Sequence, residues 1–343
     1  MYSFRNDYSE GALPEVLDAL CRTNLLSTCG YGMDEYCKAA ADKIRQRFAC
    51  ENADVHFLVG GTQTNTTAIA AFLRPWEAVI AANTGHIAVH ETGAIEARGH
   101  KVCTITTPDG KLNGDLIRKA MEPYLSGSPE HMVKPKMVYI SDSTELGTIY
   151  TCAELAEISK ACHDLGLALY LDGARMGVAL TAEGNDLQPE DFARYCDAFY
   201  IGGTKNGLLF GEALVIVREE WKPCFRSMIK QCGGMLAKGR LLGIQFSALM
   251  QDDLWLAAAR HSNLLAKRLA DGLEKAGYQL YVQSPTNQVF VLLTSQEAEF
   301  LAKDYCFEFF CAGNGQENVY RFVTSWATKS EWVDALLHTL PKR

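Results

Sequence analysis

Lys205 lies among glycines in Gly202-Gly203-Thr204-Lys205-Asn206-Gly207, with apolar residues before it (Phe199 to Ile201) and after it (Leu208 to Phe210). An amine enclosed in this way loses hydration, which lowers its pKa and favours Schiff-base chemistry. The plainer alternative is a surface charge on a solvated loop. Thirty-three residues earlier, Asp172 closes the apolar run Leu167–Asp172 and is followed by Gly173-Ala174-Arg175. A carboxylate at that depth must be paired, because an isolated buried charge is very costly. Arg175 or a helix N-terminus would serve as its partner; so would a cationic ring nitrogen. A third segment, Gly60-Gly61-Thr62-Gln63, joins the run Val55–Val59 to a helical pattern. Such a junction offers backbone N–H groups, a hydroxyl and the positive end of a helix, which together bind phosphate. It reads equally as an ordinary turn with Thr62 as N-cap. Taken as an ordered set, a phosphate cradle, a carboxylate for a pyridinium nitrogen and a Schiff-base lysine describe a protein's contribution to pyridoxal 5'-phosphate (PLP) chemistry.

These groups need strands to deliver them. Short apolar runs at Val55–Val59, Val79–Ala82, Val102–Thr106, Lys136–Ser141, Leu167–Asp172, Ala198–Gly202 and Ala213–Arg218 alternate with helical patterns at Gln63–Leu73, Ile87–Arg98, Gly114–Tyr124 and Ala153–Leu165. That alternation predicts an α/β fold with a mostly parallel, seven-stranded sheet. A parallel strand presents functional groups at its carboxyl end, where Asp172 stands. After Gly243 the pattern changes: one long helix over Leu241–Ala276, a strand at Asn287–Leu293, a helix at Gln296–Tyr305, two short strands and a terminal helix from Glu331. We read residues 1–30 as an N-terminal arm, 31–240 as the large domain and 241–343 as a small α+β domain.

Several chemistries drop out. Gly-x-Gly-x-x-Gly, Gly-x4-Gly-Lys-Ser/Thr, Gly-x-Ser-x-Gly and His-Glu-x-x-His are all absent. His86 and His90 stand four apart, a spacing that suits a metal, but no third ligand accompanies them and no metal is expected. Twelve cysteines are scattered without a Cys-x-x-Cys, the pattern of reduced, mostly buried thiols. A net charge of −8, from 41 acidic and 33 basic residues, argues against nucleic acid and anionic membranes as partners. With no apolar signal segment and no span of membrane length, a cytoplasmic protein is expected.

With these residues in view, the chain resembles the threonine aldolase / β-eliminating lyase family of PLP-dependent enzymes. The resemblance runs through Phe4-Arg5-Asn6-Asp7, Gly30-Tyr31-Gly32, Gly60-Gly61-Thr62-Gln63, Gly85-His86-Ile87 with Glu91, Leu171-Asp172-Gly173-Ala174-Arg175, Gly203-Thr204-Lys205-Asn206-Gly207 and Arg321-Phe322-Val323-Thr324. It implies the aspartate-aminotransferase-type fold (fold type I), with PLP as cofactor. It also implies roles: Lys205, preceded by Thr204, as Schiff-base lysine; Asp172 as partner of the ring nitrogen; Arg175 near the ring's phenolic oxygen; His86 stacked on the ring. Gly61 and Thr62, with Gln63 nearby, would hold the phosphate. Asn6 and Arg321 would bind the substrate carboxylate. Tyr31 would be donated by a neighbouring subunit, making a homodimer or dimer of dimers with shared sites.

Two stretches depart from the family. Where threonine aldolases typically read Leu-Glu-Asn-Thr-His-Asn, this chain reads Ile140-Ser141-Asp142-Ser143-Thr144-Glu145, so the histidine directed at the substrate hydroxyl is missing and Glu145 or Thr144 stands in its region. Gly233-Gly234-Met235-Leu236-Ala237 replaces Gly-Gly-Gly-Met-Arg, leaving Lys230, Lys238 and Arg240 as nearby cations. The activity implied is cleavage of a β-hydroxy-α-amino acid, such as L-threonine or L-allo-threonine, to glycine and an aldehyde. Glu145, His86 or a water would take the hydroxyl proton. The alternatives are a β-eliminating lyase, an aminotransferase, or a PLP-binding protein without turnover.

Overall fold

The computed structural model describes residues 2–126, 129–341 and 343. Its N-terminal strand β1 (Tyr2–Ser3) is followed by seven strands that form one sheet: β2 (Asp54–Leu58), β3 (Glu77–Ala82), β4 (Val102–Ile105), β5 (Lys134–Ser141), β6 (Ala168–Gly173), β7 (Ala198–Gly202) and β8 (Glu212–Ile216). Their order is β2-β8-β7-β6-β5-β3-β4. Only β8 runs antiparallel to its neighbours β7 and β2; the other pairings are parallel. Alternate residues feed two separate cores. Val138, Ile140, Leu169, Leu171, Phe199 and Ile201 pack on one face. Met137, Tyr139, Tyr170, Ala198 and Tyr200 pack on the other. Apolar runs with few polar breaks are what a sheet covered on both faces requires.

Topology then collects the polar groups at one edge. β2, β5, β6 and β7 all end there, bringing Gly60, Ser141, Asp172 and the Lys205 loop together. Because β8 is reversed, its first residue, Glu212, arrives at the same edge, in register with both Gly202 and Leu58. The Lys205 loop closes at Gly207, whose φ of +94° suits glycine; a Cβ there would also lie 2.5 Å from Leu13.

A second sheet, order β12-β13-β10-β9, comprises β9 (Leu280–Val282), β10 (Gln288–Thr294), β12 (Glu308–Ala312) and β13 (Glu317–Val323), all antiparallel. The short β11 (Tyr305–Cys306) pairs in parallel with β1, and Phe4 packs into the core beneath this sheet. The chain's start is thereby pinned to its end, and residue 7 is carried back over the large sheet.

Two expected helices are interrupted. The segment Ile87–Arg98 forms only the turn His86–Val89 and a 3₁₀ turn at Glu96–Arg98. Thr92 and Gly93 between them take positive φ, and the break lets Glu91 turn inward to its buried partners. The long helix over Leu241–Ala276 is two helices, Arg240–Leu249 and Leu254–Lys275. Asp252 between them has φ +51°, and its carbonyl accepts from Arg47 Nη2 (2.7 Å). Strand β9 falls in a stretch expected to lack one. Four cysteines are buried, Cys21, Cys29 and Cys224 are exposed, and the remaining five are half-buried. Among the described residues, no helix is long and apolar enough to cross a membrane.

Candidate active site

A cavity of about 560 Å³ opens over the carboxyl edge of the large sheet and is roofed by β12 and β13. Its floor is Asp172. Asp172 Oδ2 accepts from Tyr139 Oη (2.6 Å) and Asn65 Nδ2 (3.0 Å), and Oδ1 accepts from Ala174 N (3.0 Å). Burial alone would raise its pKa. The field of His86 and hydrogen bonds from Tyr139, Tyr200 and Asn65 outweigh burial and hold the carboxyl below its ordinary range. The result is a buried carboxylate fixed in its charged form.

Lys205 lines the same cavity. Burial and the guanidinium of Arg175 lower its pKa, against the pull of Asp7, Asp172 and Glu212. Arg175 is itself clamped: Nε and Nη2 donate to Asp7 Oδ2 and Oδ1 at 2.7 and 3.0 Å. Asn287 Nδ2 adds a third donor to Asp7 at 2.9 Å. Glu212 supports the lysine loop from below, accepting from Gly203 N (3.1 Å) and Thr204 Oγ1 (2.8 Å). Burial pushes the Glu212 carboxyl up to about 8.

On the opposite wall, His86 Nδ1 lies 2.8 Å from Glu91 Oε1, the same oxygen that accepts from Asn65 Nδ2 at 2.8 Å. Asn65 therefore bridges Glu91 and Asp172. Glu145 Oε1 accepts from His86 N (2.9 Å) and Ser141 Oγ (2.8 Å). Burial and the nearby Asp172 charge raise the Glu145 pKa. Arg321 reaches in from β13, with Nη2 donating to Glu308 Oε2 (2.5 Å) and Nη1 to Gln288 Oε1 (3.2 Å). Among the described residues, no group of three His, Cys, Asp or Glu side chains has the geometry of a metal site.

The chain's sequence matches the β-eliminating lyase family signature over residues 4–296. It is 33% identical to a low specificity L-threonine aldolase of Pseudomonas aeruginosa, covering 97% of this chain and 95% of that one. This chain belongs to the β-eliminating lyase family. A structure of Leishmania major threonine aldolase superimposes with a TM-score of 0.96 at 47% identity, covering 98% of both chains. Aspartate aminotransferase from Thermus thermophilus gives 0.74 at 15% identity, covering 99% of this chain and 90% of that one, which shows the shared fold.

The cavity brings together Gly61, Thr62, His86, Glu145, Asp172, Arg175, Thr204, Lys205 and Arg321. Three expected residues lie elsewhere. Gln63 Oε1 accepts from Val59 N at 3.3 Å. Asn6 Oδ1 accepts from Tyr8 N and Ser9 Oγ, shaping the turn that places Asp7 and Tyr8, and Tyr8 lines the cavity instead. Tyr31 borders a separate cavity of about 510 Å³, with Lys230 5.1 Å above its ring. Arg240 donates to the carbonyls of Thr23 and Leu26, in the N-terminal segment. Thr62 is not the N-cap: Gly60 occupies that position and offers no side-chain cap.

Sequence reasoning passed over Asp7, Asn65, Glu212, Glu308 and the phenols of Tyr139, Tyr170 and Tyr200. The phenols had a signal: each stands two residues before the end of an expected apolar strand. Tyr170 Oη donates to Asn65 Oδ1 at 3.0 Å. Asp7 and Glu308 gave none, because they arrive from distant parts of the chain.

Proposed function

We propose that this chain is a PLP-dependent aldolase that cleaves a β-hydroxy-α-amino acid of the threonine or allo-threonine type to glycine and an aldehyde. The observation that carries this reading is one cavity holding Lys205, an ionised buried Asp172 and Arg321, in a chain closely similar to threonine aldolases.

The residues fit the cofactor. The helix Gly61–Phe72 begins without a side-chain cap, so its first-turn N–H groups are available to a phosphate beside Gly60, Gly61 and Thr62. A side chain at Gly61 would place its Cβ 3.0 Å from Tyr200 Oη, which favours glycine in that wall. Lys205, its proton weakened by burial, would supply the amine that holds the cofactor. Asp172, kept ionised by its donors, would hold a proton on the ring nitrogen. Arg175, fixed by Asp7, would offer a further N–H to the ring oxygen. Bound there, PLP supplies an electron-poor ring that stabilises the electron pair left on Cα when the Cα–Cβ bond breaks.

The chain's own residues do the rest. Arg321 binds the substrate carboxylate and so sets the rotation about the bonds to Cα. His86, with Nδ1 directed to Glu91, is oriented by that carboxylate, and its other nitrogen is left for the substrate or cofactor face. His86, Glu145 or a water would take the β-hydroxyl proton, and burial, which raises the Glu145 pKa, makes it a stronger base than an ordinary carboxylate. Aldehyde release from threonine, allo-threonine and phenylserine tests the reading. Ammonia with a keto acid, or amino exchange with 2-oxoglutarate, in place of aldehyde and glycine would overturn it.

We infer also that the working unit is a homodimer or dimer of dimers. Tyr31 is half-exposed away from its own chain's cavity, and Leu25, Leu26 and Met33 beside it are exposed apolar residues. Mixing inactive Lys205→Ala chains with inactive Tyr31→Ala chains should restore activity once subunits exchange. A mixture that stays inactive after verified exchange rules out sharing through Tyr31.

A further inference from the structure

Arg321 already holds a carboxylate. The register of β12 on β13 sets Glu308 opposite Arg321, and both side chains line the cavity. Arg321 Nη2 is given to Glu308 and Nη1 to Gln288, while the buried Nε has no partner among the described residues. The Arg321 side chain is 18% exposed and the Glu308 side chain 36% exposed, so the acid is the member with more access to water.

Resting on the reading of Arg321 as the substrate's carboxylate clamp, the geometry points to Glu308 as a built-in competitor for that clamp: its carboxylate holds Arg321 until the α-carboxylate of an amino acid displaces it. A guanidinium grips a carboxylate best with two parallel N–H bonds. One N–H of Nη2 is given to Glu308, so a two-pronged grip that takes that N–H requires Glu308 to withdraw. Two carboxylates crowded on one guanidinium also repel each other. Withdrawal has an outlet, because Glu308 already faces solvent and can be hydrated there.

The exchange replaces one ion pair with another of the same kind. Apparent affinity for the substrate therefore drops by the fraction of sites in which Arg321 is free. That loss is uniform to ground and transition states, so it acts on KM more than on kcat. Between turnovers, Arg321 stays extended into a cavity that also holds the Arg175 guanidinium, with its own charge balanced. Only a ligand bearing its own carboxylate can make the trade, so the device discriminates against amines and aldehydes that lack one.

The test is Glu308→Gln in the holoenzyme, with glycine and glycinamide titrated calorimetrically and threonine kinetics alongside. Glycine should bind about two- to fivefold more tightly, the scale of a partly exposed ion pair, and KM for threonine should fall in step while kcat moves less. Glycinamide, without the carboxylate, should bind as before. Glu308→Ala should shift glycine in the same direction, which guards against the new amide itself occupying Arg321. Unchanged or weaker glycine binding overturns the proposal, as does an equal shift for glycinamide, the mark of general loosening. Arg321→Ala separates the two levels. If it spares glycine binding, the clamp reading fails and the inference with it. If it abolishes glycine binding while the Glu308 variants change nothing, the inference alone fails.

Discussion

The floor and the rim of the cavity both hold a charge, but under opposite terms. Asp172 at the floor has both oxygens engaged, by Ala174 N on one side and by Tyr139 and Asn65 on the other. Its donors come from β5, from the helix after β2 and from its own strand's end, all tied into one continuous sheet edge. Arg321 at the rim has two partners, one of them half in solvent, and an Nε with none among the described residues. A charge whose hydrogen bonds are complete is fixed, and its field is preorganised. A charge with donors to spare is ready to bind. On the function proposed above, the floor acts on the reaction and the rim chooses and holds what reacts.

Floor substitutions should then fall on kcat. The largest effect is expected from Lys205→Ala, which removes the amine proposed to hold the cofactor: turnover should drop by more than about a thousandfold. Borohydride treatment followed by mass measurement should show no cofactor linked to the chain, and a reducible linkage in the variant would move the role to another residue. Asp172→Asn comes next. A neutral amide cannot hold a proton on the ring nitrogen, so kcat should fall about 100-fold or more while cofactor binding persists in part. Near-normal kcat would make Asp172 a structural residue and erase the contrast between floor and rim.

How much of this was legible beforehand follows the same division. The floor's three main groups end or follow strands whose apolar runs are plain in the sequence, so Gly61, Asp172 and Lys205 could be placed before any coordinates. All seven strands of the large sheet stand within about two residues of where periodicity puts them. The rim is made by chain reversal. Glu308 meets Arg321 only through the register of two antiparallel strands joined by a turn, and Asp7 meets Arg175 across about half the chain's length. No local pattern encodes such pairings. The broken helices failed for a related reason: Glu91 and Trp255 are drawn inward by buried partners that the helical period does not see.

Rim substitutions should fall on KM. Arg321→Lys keeps the charge but loses the planar fork, so KM for threonine should rise about tenfold with a smaller change in kcat. Steady-state kinetics decide this: an equal loss in kcat would place Arg321 with the floor, acting on the transition state rather than on binding.

The smallest expected effect sharpens the comparison where it is least obvious, at Glu212 beneath the lysine loop. Its folded-state carboxyl is raised from an ordinary value of 4.5 to about 8, chiefly by burial. Between those two values the folded chain keeps a proton that the unfolded chain has released. Stability must therefore decline as pH rises through that window, the reverse of the behaviour of Asp172, whose depressed pKa contributes stability that is lost as pH falls. Glu212→Gln keeps the shape, offers an oxygen to Gly203 N and an amide to Thr204 Oγ1, and removes the titration. The variant should be more stable than the parent by about 1 to 3 kcal/mol at pH 8 and by little or nothing at pH 5. Denaturant unfolding at the two pH values measures the difference directly. Parallel pH profiles for parent and variant would mean that Glu212 is ionised in the fold, and hence that Lys205 carries a permanent counter-ion rather than a neutral acid at its side.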